Sequence, residues 1–139
     1  MREFDVIGTP IAKGRPRFSR RGKYVTTYTP KKTVEYENLV KRYYLEKYKT
    51  DELMEGYLKI ELKFFMPIVK STSKKNKQLM IEQKLFPDKK PDLSNLVKSV
   101  EDALNGIAFK DDSQIIESHS YKYYSDEPKV TIKISNVIV

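Results

Sequence analysis

The chain has 139 residues, with 27 Lys and Arg against 19 Asp and Glu, one histidine and no cysteine, for a net charge of +8. Without cysteine there is no disulfide framework, thiol nucleophile or Cys-bound zinc, and with His119 the only histidine a His-cluster metal site or Ser-His-Asp catalysis within one chain is not expected. No apolar run of about 18 residues occurs, so a single cytoplasmic domain over 1–139 with an anionic partner is expected, nucleic acid ahead of a membrane surface.

In chain order, Phe4–Ile7 reads as a short strand stopped by Gly8 and Pro10. The basic loop AKGRPRFSRRGKY follows, and Tyr24–Thr27 is a brief second strand. Thr29-Pro30 reads as a helix start, with Thr29 accepting from an early N–H and Pro30 at the first helical position. Val34, Leu39 and Tyr43 give helical spacing from Thr33 to about Lys49. Leu58, Ile60, Leu62 and Phe64 alternate with Lys59, Glu61 and Lys63, which is the period of a half-buried strand ended by Pro67.

Ser and Thr residues cap a helix expected over Ser73–Lys84. Pro87 and Pro91 break the chain before a second amphipathic helix, closed at Asn105-Gly106. Gln114–Tyr124 and Lys129–Ile138 alternate like strands, with Ser125–Pro128 as a hairpin turn between them. This order predicts an α+β fold with a mixed sheet of about four strands packed with helices.

The run KPDLSNLVKSVEDALNGIAFKDDSQ concentrates the chemistry. On a helix starting at Asp92, Leu93, Leu96, Val97, Val100, Ala103 and Leu104 share one arc, while Ser94, Asn95, Lys98, Glu101 and Asp102 fall on the other. That polar side is either an active-site floor or a solvated face in which Asp92 is an N-cap and Lys98–Asp102 an ordinary i,i+4 pair. Asp111 and Asp112 follow the helix and are either a turn or a second acidic contribution. If the chain doubles back, Asp112 approaches Asp92, and a divalent cation relieves the repulsion of paired carboxylates. Mg²⁺ suits oxygen ligands and keeps waters and phosphate in its shell. Lys98 then faces the developing phosphate charge.

The basic loop crowds Lys13, Arg15, Arg17, Arg20, Arg21 and Lys23 together without an acid, beside Phe18 and Tyr24. Arginine forks bind phosphate and aromatics stack on splayed bases. A flexible, solubilising loop is the competing reading, with Gly14, Pro16 and Gly22 in its favour. Lys70–Lys77 is a second basic group that either adds DNA contacts or is a solvated helix face.

Taken together, GTPIAKGRPRF and KPDLSNLVKSVEDALNGIAFKDDSQI resemble the RusA family of Holliday junction resolvases, small Mg²⁺-dependent endonucleases of bacteria and their phages. The resemblance runs through most of the chain. It implies a homodimeric endonuclease that binds four-way DNA junctions and nicks opposing strands symmetrically, with Mg²⁺ as cofactor and Mn²⁺ as a substitute. It also implies Asp92 and Asp112 as metal ligands with Asp111 the adjacent acid, Lys98 as the catalytic lysine, and Asn95, Asp102 and Gln114 as framework. One position departs from the pattern. The family reads Asp-x-Asp-Asn-Leu where this chain has Asp92-Leu93-Ser94-Asn95-Leu96, so one carboxylate is missing. Asp102 is no substitute, because eight residues along a helix span about 12 Å. Either the site works with fewer acids and an extra water, or it is impaired and the protein only binds branched DNA, or the position carries a substitution.

Overall fold

The computed structural model describes residues 1–15 and 17–139. Alternation along Leu58–Pro67 (β4) buries Leu58, Ile60, Leu62, Phe64 and Met66 on one face and leaves the Lys and Glu residues on the other. β4 is antiparallel to Lys129–Asn136 (β6), which in turn pairs antiparallel with Arg2–Ile7 (β1). On its other side β4 runs parallel to Ile115–Ser125 (β5), giving a mixed sheet in the order β1-β6-β4-β5. The α+β class and the four-stranded mixed sheet agree with expectation.

One connection does not. Ser125–Pro128 is not a hairpin turn, because β4 lies between the two strands that it joins. Their order follows burial. β6 places Val130, Ile132 and Ile134 in the core and belongs inside the sheet, whereas much of β5 is exposed and belongs at its edge.

Three helices complete the fold: Lys31–Tyr48 (α1), Lys74–Ile81 (α2) and Leu93–Leu104 (α3). α1 starts one residue later than the Thr29-Pro30 reading puts it, with Pro30 at the cap position and no side-chain cap bond, so Thr29 plays no capping part. Its buried stripe is Thr33, Tyr36, Val40 and Tyr44, while Val34 is exposed. Ser73 caps α2 by accepting from the Asn76 N–H at 3.2 Å. Among the described residues, no helix is long and apolar enough to cross a membrane.

The strand expected at Tyr24–Thr27 is present as Tyr24–Tyr28 (β3), and the stretch expected to be a basic loop supplies its partner, Arg17–Arg21 (β2), in a second, two-stranded sheet. Both strands are exposed throughout. Their base is pinched where Gly14 meets α1. The Gly14 N–H donates to the buried Thr33 hydroxyl at 2.9 Å, and a Cβ on Gly14 would lie 2.9 Å from both Pro30 Cγ and Thr33 Oγ1. Gly14→Ala is therefore expected to cost about 1–3 kcal/mol through overpacking, read as a lower urea midpoint at unchanged m-value. An unchanged midpoint would show that this contact yields without cost.

Candidate active site

α3 buries Leu96, Ser99, Val100, Ala103 and Leu104 against the sheet and α1, which fixes its polar side outward. Ser99 is the one polar member of the buried stripe, and its hydroxyl is satisfied by the Leu96 carbonyl at 2.8 Å. Asp92 occupies the N-cap position in an extended conformation, but its side chain makes no cap bond. The carboxylate therefore stays available for another partner. Lys122 of β5 donates to the Lys89 and Pro91 carbonyls at 2.9 and 2.8 Å and ties the approach to α3 to the sheet. Asp92 lines an open recess with Arg15, Lys90, Pro91 and Asn95. Ser94 lies exposed on the first turn of α3.

Past α3 the chain returns through Ala108 and Phe109, both fully buried, and the Met54 N–H donates to the Ala108 carbonyl at 2.8 Å. Asp112–Gln114 then forms a single 3-10 turn. Gln114 fastens it. Its Oε1 accepts from the Lys110 and Asp111 N–H groups at 3.0 and 3.1 Å, and its Nε2 donates to the Met54 and Gly56 carbonyls, each at 3.1 Å. Gln114→Ala would remove all four bonds. It is expected to cost about 1–3 kcal/mol in chemical denaturation and to slow any reaction that uses Asp112. Stability and activity equal to wild type would contradict the clamp.

The turn sets two carboxylates against each other. A hydrogen bond from the Ser113 hydroxyl (2.9 Å), followed by one shared with Asp112, holds Asp111 below the usual carboxylate range. The same shared bond, and then desolvation, pushes Asp112 above it. Asp112 also feels Lys98 and Asp102. Glu101 joins this group, raised by desolvation first and by Asp112 second. The sequence reading placed Glu101 on the polar side of α3 without assigning it a role; its place one turn beyond Lys98 was the available signal.

Lys98 Nζ lies 3.1 Å from Asp102 Oδ1, and this contact raises the lysine's pKa, so it is held charged. The other Asp102 oxygen is 3.2 Å from Lys13 Nζ, which also donates to Glu37 Oε1 at 2.6 Å. Desolvation works to lower the Lys13 pKa, but these two partners outweigh it and the net shift is upward. Lys13 was expected among the phosphate-binding residues. Its ammonium is instead shared between two carboxylates of the chain, and its N–H donates to the Asn95 carbonyl at 2.8 Å. The result is a relay, Glu37–Lys13–Asp102–Lys98, that joins α1, the N-terminal segment and α3.

Arg15 stands beside Asp92, and Arg17, Arg20, Arg21 and Lys23 stand exposed on the β2–β3 ribbon. Lys98 and Asp102 are thus in contact, with Glu101 and Asp112 within electrostatic reach of them, while Asp92 lines a recess on the Arg15 side. His119 sits exposed on β5 against Glu117.

A sequence profile of the family described as Endodeoxyribonuclease RusA matches residues 8–135. The chain belongs to the RusA endodeoxyribonuclease family. It is also 36% identical over 137 residues to an uncharacterized protein, YqaN, of Bacillus subtilis (strain 168), covering 97% of this chain and 96% of that protein. The RusA match spans every residue of the site just described, from Lys13 to Gln114.

A divalent cation is the expectation that the resemblance raised, and the carboxylates present are of the kind it takes. Asp92 is free of a cap bond and Asp112 is crowded by a second carboxylate, both oxygen ligands of the sort Mg²⁺ takes. In number they are few. Among the described residues, no group of three acidic or histidine side chains converges as a ready-made metal cluster.

Proposed function

We propose that this protein is a Mg²⁺-dependent, structure-selective endodeoxyribonuclease that resolves four-way DNA junctions by paired nicking, acting as a homodimer with one site per subunit. The observation that carries the reading is the charged Lys98 held by Asp102 beside Asp112 and Glu101, in a chain of the RusA family. Asp92 and Asp112, with Asp111 adjacent, are the residues that would hold the ion. Bound there, Mg²⁺ would polarise the scissile phosphate and lower the pKa of a coordinated water.

The protein's own groups do the rest. Lys98 presents an ammonium to the charge that develops on the phosphoryl oxygens and the leaving oxygen. Asp102 keeps that ammonium aimed and protonated. Arg15, which lines the same recess as Asp92, would take a neighbouring phosphate of the backbone.

The alternative is a branched-DNA-binding protein of the same fold with little or no catalysis. Ser94 is the observation that favours it, since a hydroxyl is a weaker Mg²⁺ ligand than the carboxylate the family places there. Cleavage of a labelled synthetic four-way junction across a Mg²⁺ and a Mn²⁺ titration separates the two. Wild type is expected to cut the junction and spare the matched linear duplex, and Ser94→Asp to reach half-maximal rate at about tenfold lower Mg²⁺. Identical metal dependence and rates in the two proteins would refute a role for Ser94 in weakening the site. No cleavage with either metal, together with steeply salt-dependent binding, would favour the non-catalytic reading.

A further inference from the structure

The net charge of the protein resides in one segment. Between Val6 and Val34 there are eight Lys and Arg and no Asp or Glu, which leaves 19 basic residues against the 19 acidic ones in the rest of the chain. The β2–β3 ribbon is the centre of that segment, about 17 Å long at strand rise. Its cross-strand pairs divide it into two faces. Arg17 with Tyr28, Ser19 with Thr26 and Arg21 with Tyr24 share one face; Phe18 with Thr27 and Arg20 with Val25 share the other.

On the second face Phe18 is 74% exposed and Val25 is 59% exposed. A two-stranded ribbon is marginal in water without something to pack on, and this one exposes apolar and aromatic side chains on both faces, Phe18 and Val25 on one and Tyr24 and Tyr28 on the other. The charge of the segment selects that partner. A second copy would meet the ribbon with the same excess of positive charge or with a charge-balanced body, whereas a polyanion complements it. Two-stranded ribbons fit a DNA groove, and apolar and aromatic side chains unstack base steps or stack on bases already splayed. The ribbon also leaves the body at the site, because Arg15, two residues before it, lines the recess with Asp92, and Gly14 clamps its base to α1.

We propose that the β2–β3 ribbon is a branch-point wedge: its Phe18–Val25 face packs on unpaired bases at a DNA branch while Arg20 on that face and Lys23 at the turn hold the flanking phosphates. The proposal deepens the junction reading and rests on it for the substrate. It makes the selection of branched over linear DNA a property of this ribbon and not of the acidic site.

The test is binding in chelator, where no cleavage occurs, to a four-way junction carrying 2-aminopurine at the branch point and to the matched linear duplex. Wild type is expected to raise the 2-aminopurine fluorescence on the junction. Phe18→Ala is expected to abolish that rise and to weaken junction binding about tenfold, with duplex affinity held within about twofold. Phe18→Leu, which keeps an apolar wedge, should restore both signals. An unchanged junction affinity in Phe18→Ala, an equal loss on both DNAs, or no fluorescence change with wild type would overturn the wedge. So would conversion of a dimer to monomers by Phe18→Ala in sedimentation, which would make this face an interface between copies. A wedge signal from a protein that cuts no junction with Mg²⁺ or Mn²⁺ would instead overturn the nuclease reading and leave the wedge standing.

Discussion

Asp112→Asn is expected to lose junction cleavage by roughly a thousandfold while binding the junction as tightly as wild type. The substitution is close to isosteric, and the side chain keeps an atom able to hydrogen-bond with Asp111. The 3-10 turn is held by Gln114 through backbone groups, which the change leaves alone. What disappears is the negative charge opposite Lys98 and beside Glu101. Loss of charge without loss of shape is what separates a chemical role from a structural one. Single-turnover cleavage and fluorescence anisotropy on the same labelled junction measure the two effects. Full activity in this variant would remove Asp112 from the chemistry.

Asp102→Asn is expected to act on both stability and rate. Asp102 is mostly buried and lies between two ammonium groups, Lys13 and Lys98. Neutralising it leaves Lys13 with Glu37 alone and leaves Lys98 without a partner on its own helix. Hydrogen bonds to charged groups at part-buried sites contribute about 1–3 kcal/mol, and a loss of that size is expected in urea denaturation. The rate should fall about 10- to 100-fold with junction affinity little changed, because Asp102 positions Lys98 and does not itself meet DNA. The pH profile separates this from general damage. Asp102 raises the Lys98 pKa, so its removal lets that pKa fall. If the reaction needs charged Lys98, the alkaline limb of the profile moves to lower pH in the variant. A uniform loss of rate with an unmoved limb would show that Asp102 is merely structural.

Much of this architecture was readable before any coordinates, for physical reasons that differ by element. α3 was clear because its apolar arc is continuous and Asn105-Gly106 ends it. β4 was clear because Leu58 through Met66 alternate without interruption. α1 was found, with Leu39 and Tyr43 at the margin of the core and Val34 exposed, but its fully buried stripe was not, because Tyr36 and Tyr44 fill core positions that aliphatic spacing does not count. Of the β2–β3 ribbon, β3 was expected at Tyr24–Thr27, but β2 was missed because Arg17–Arg21 lacks apolar alternation. Gly22-Lys23 was the local signal, a two-residue loop with glycine first between two runs able to pair. The placement of β5 and β6 was not local at all. A four-residue turn fixes a reversal of direction, whereas neighbourhood in the sheet is decided by which strand must be buried on both sides.

The site divides in the same way. Asp92, Lys98, Asp111 and Asp112 stood out through residue type and spacing around one helix. That Lys13 belongs to Glu37 and Asp102 could not be read, since those contacts join residues 24 and 89 positions apart in the chain. Glu101 was visible as a polar-side residue, but only the return of the chain through Phe109 sets Asp112 near it.

The central claim is paired hydrolysis at a junction by a site that carries Ser94. A supercoiled plasmid with an extruded cruciform tests it most directly, because two cuts made within one binding event give linear DNA and isolated cuts give nicked circles. With Mg²⁺ the wild-type protein is expected to convert the cruciform plasmid to linear product and to leave a plasmid without the inverted repeat untouched. Supercoiled plasmid that persists with both Mg²⁺ and Mn²⁺, or nicked circles formed equally from both plasmids, would contradict it.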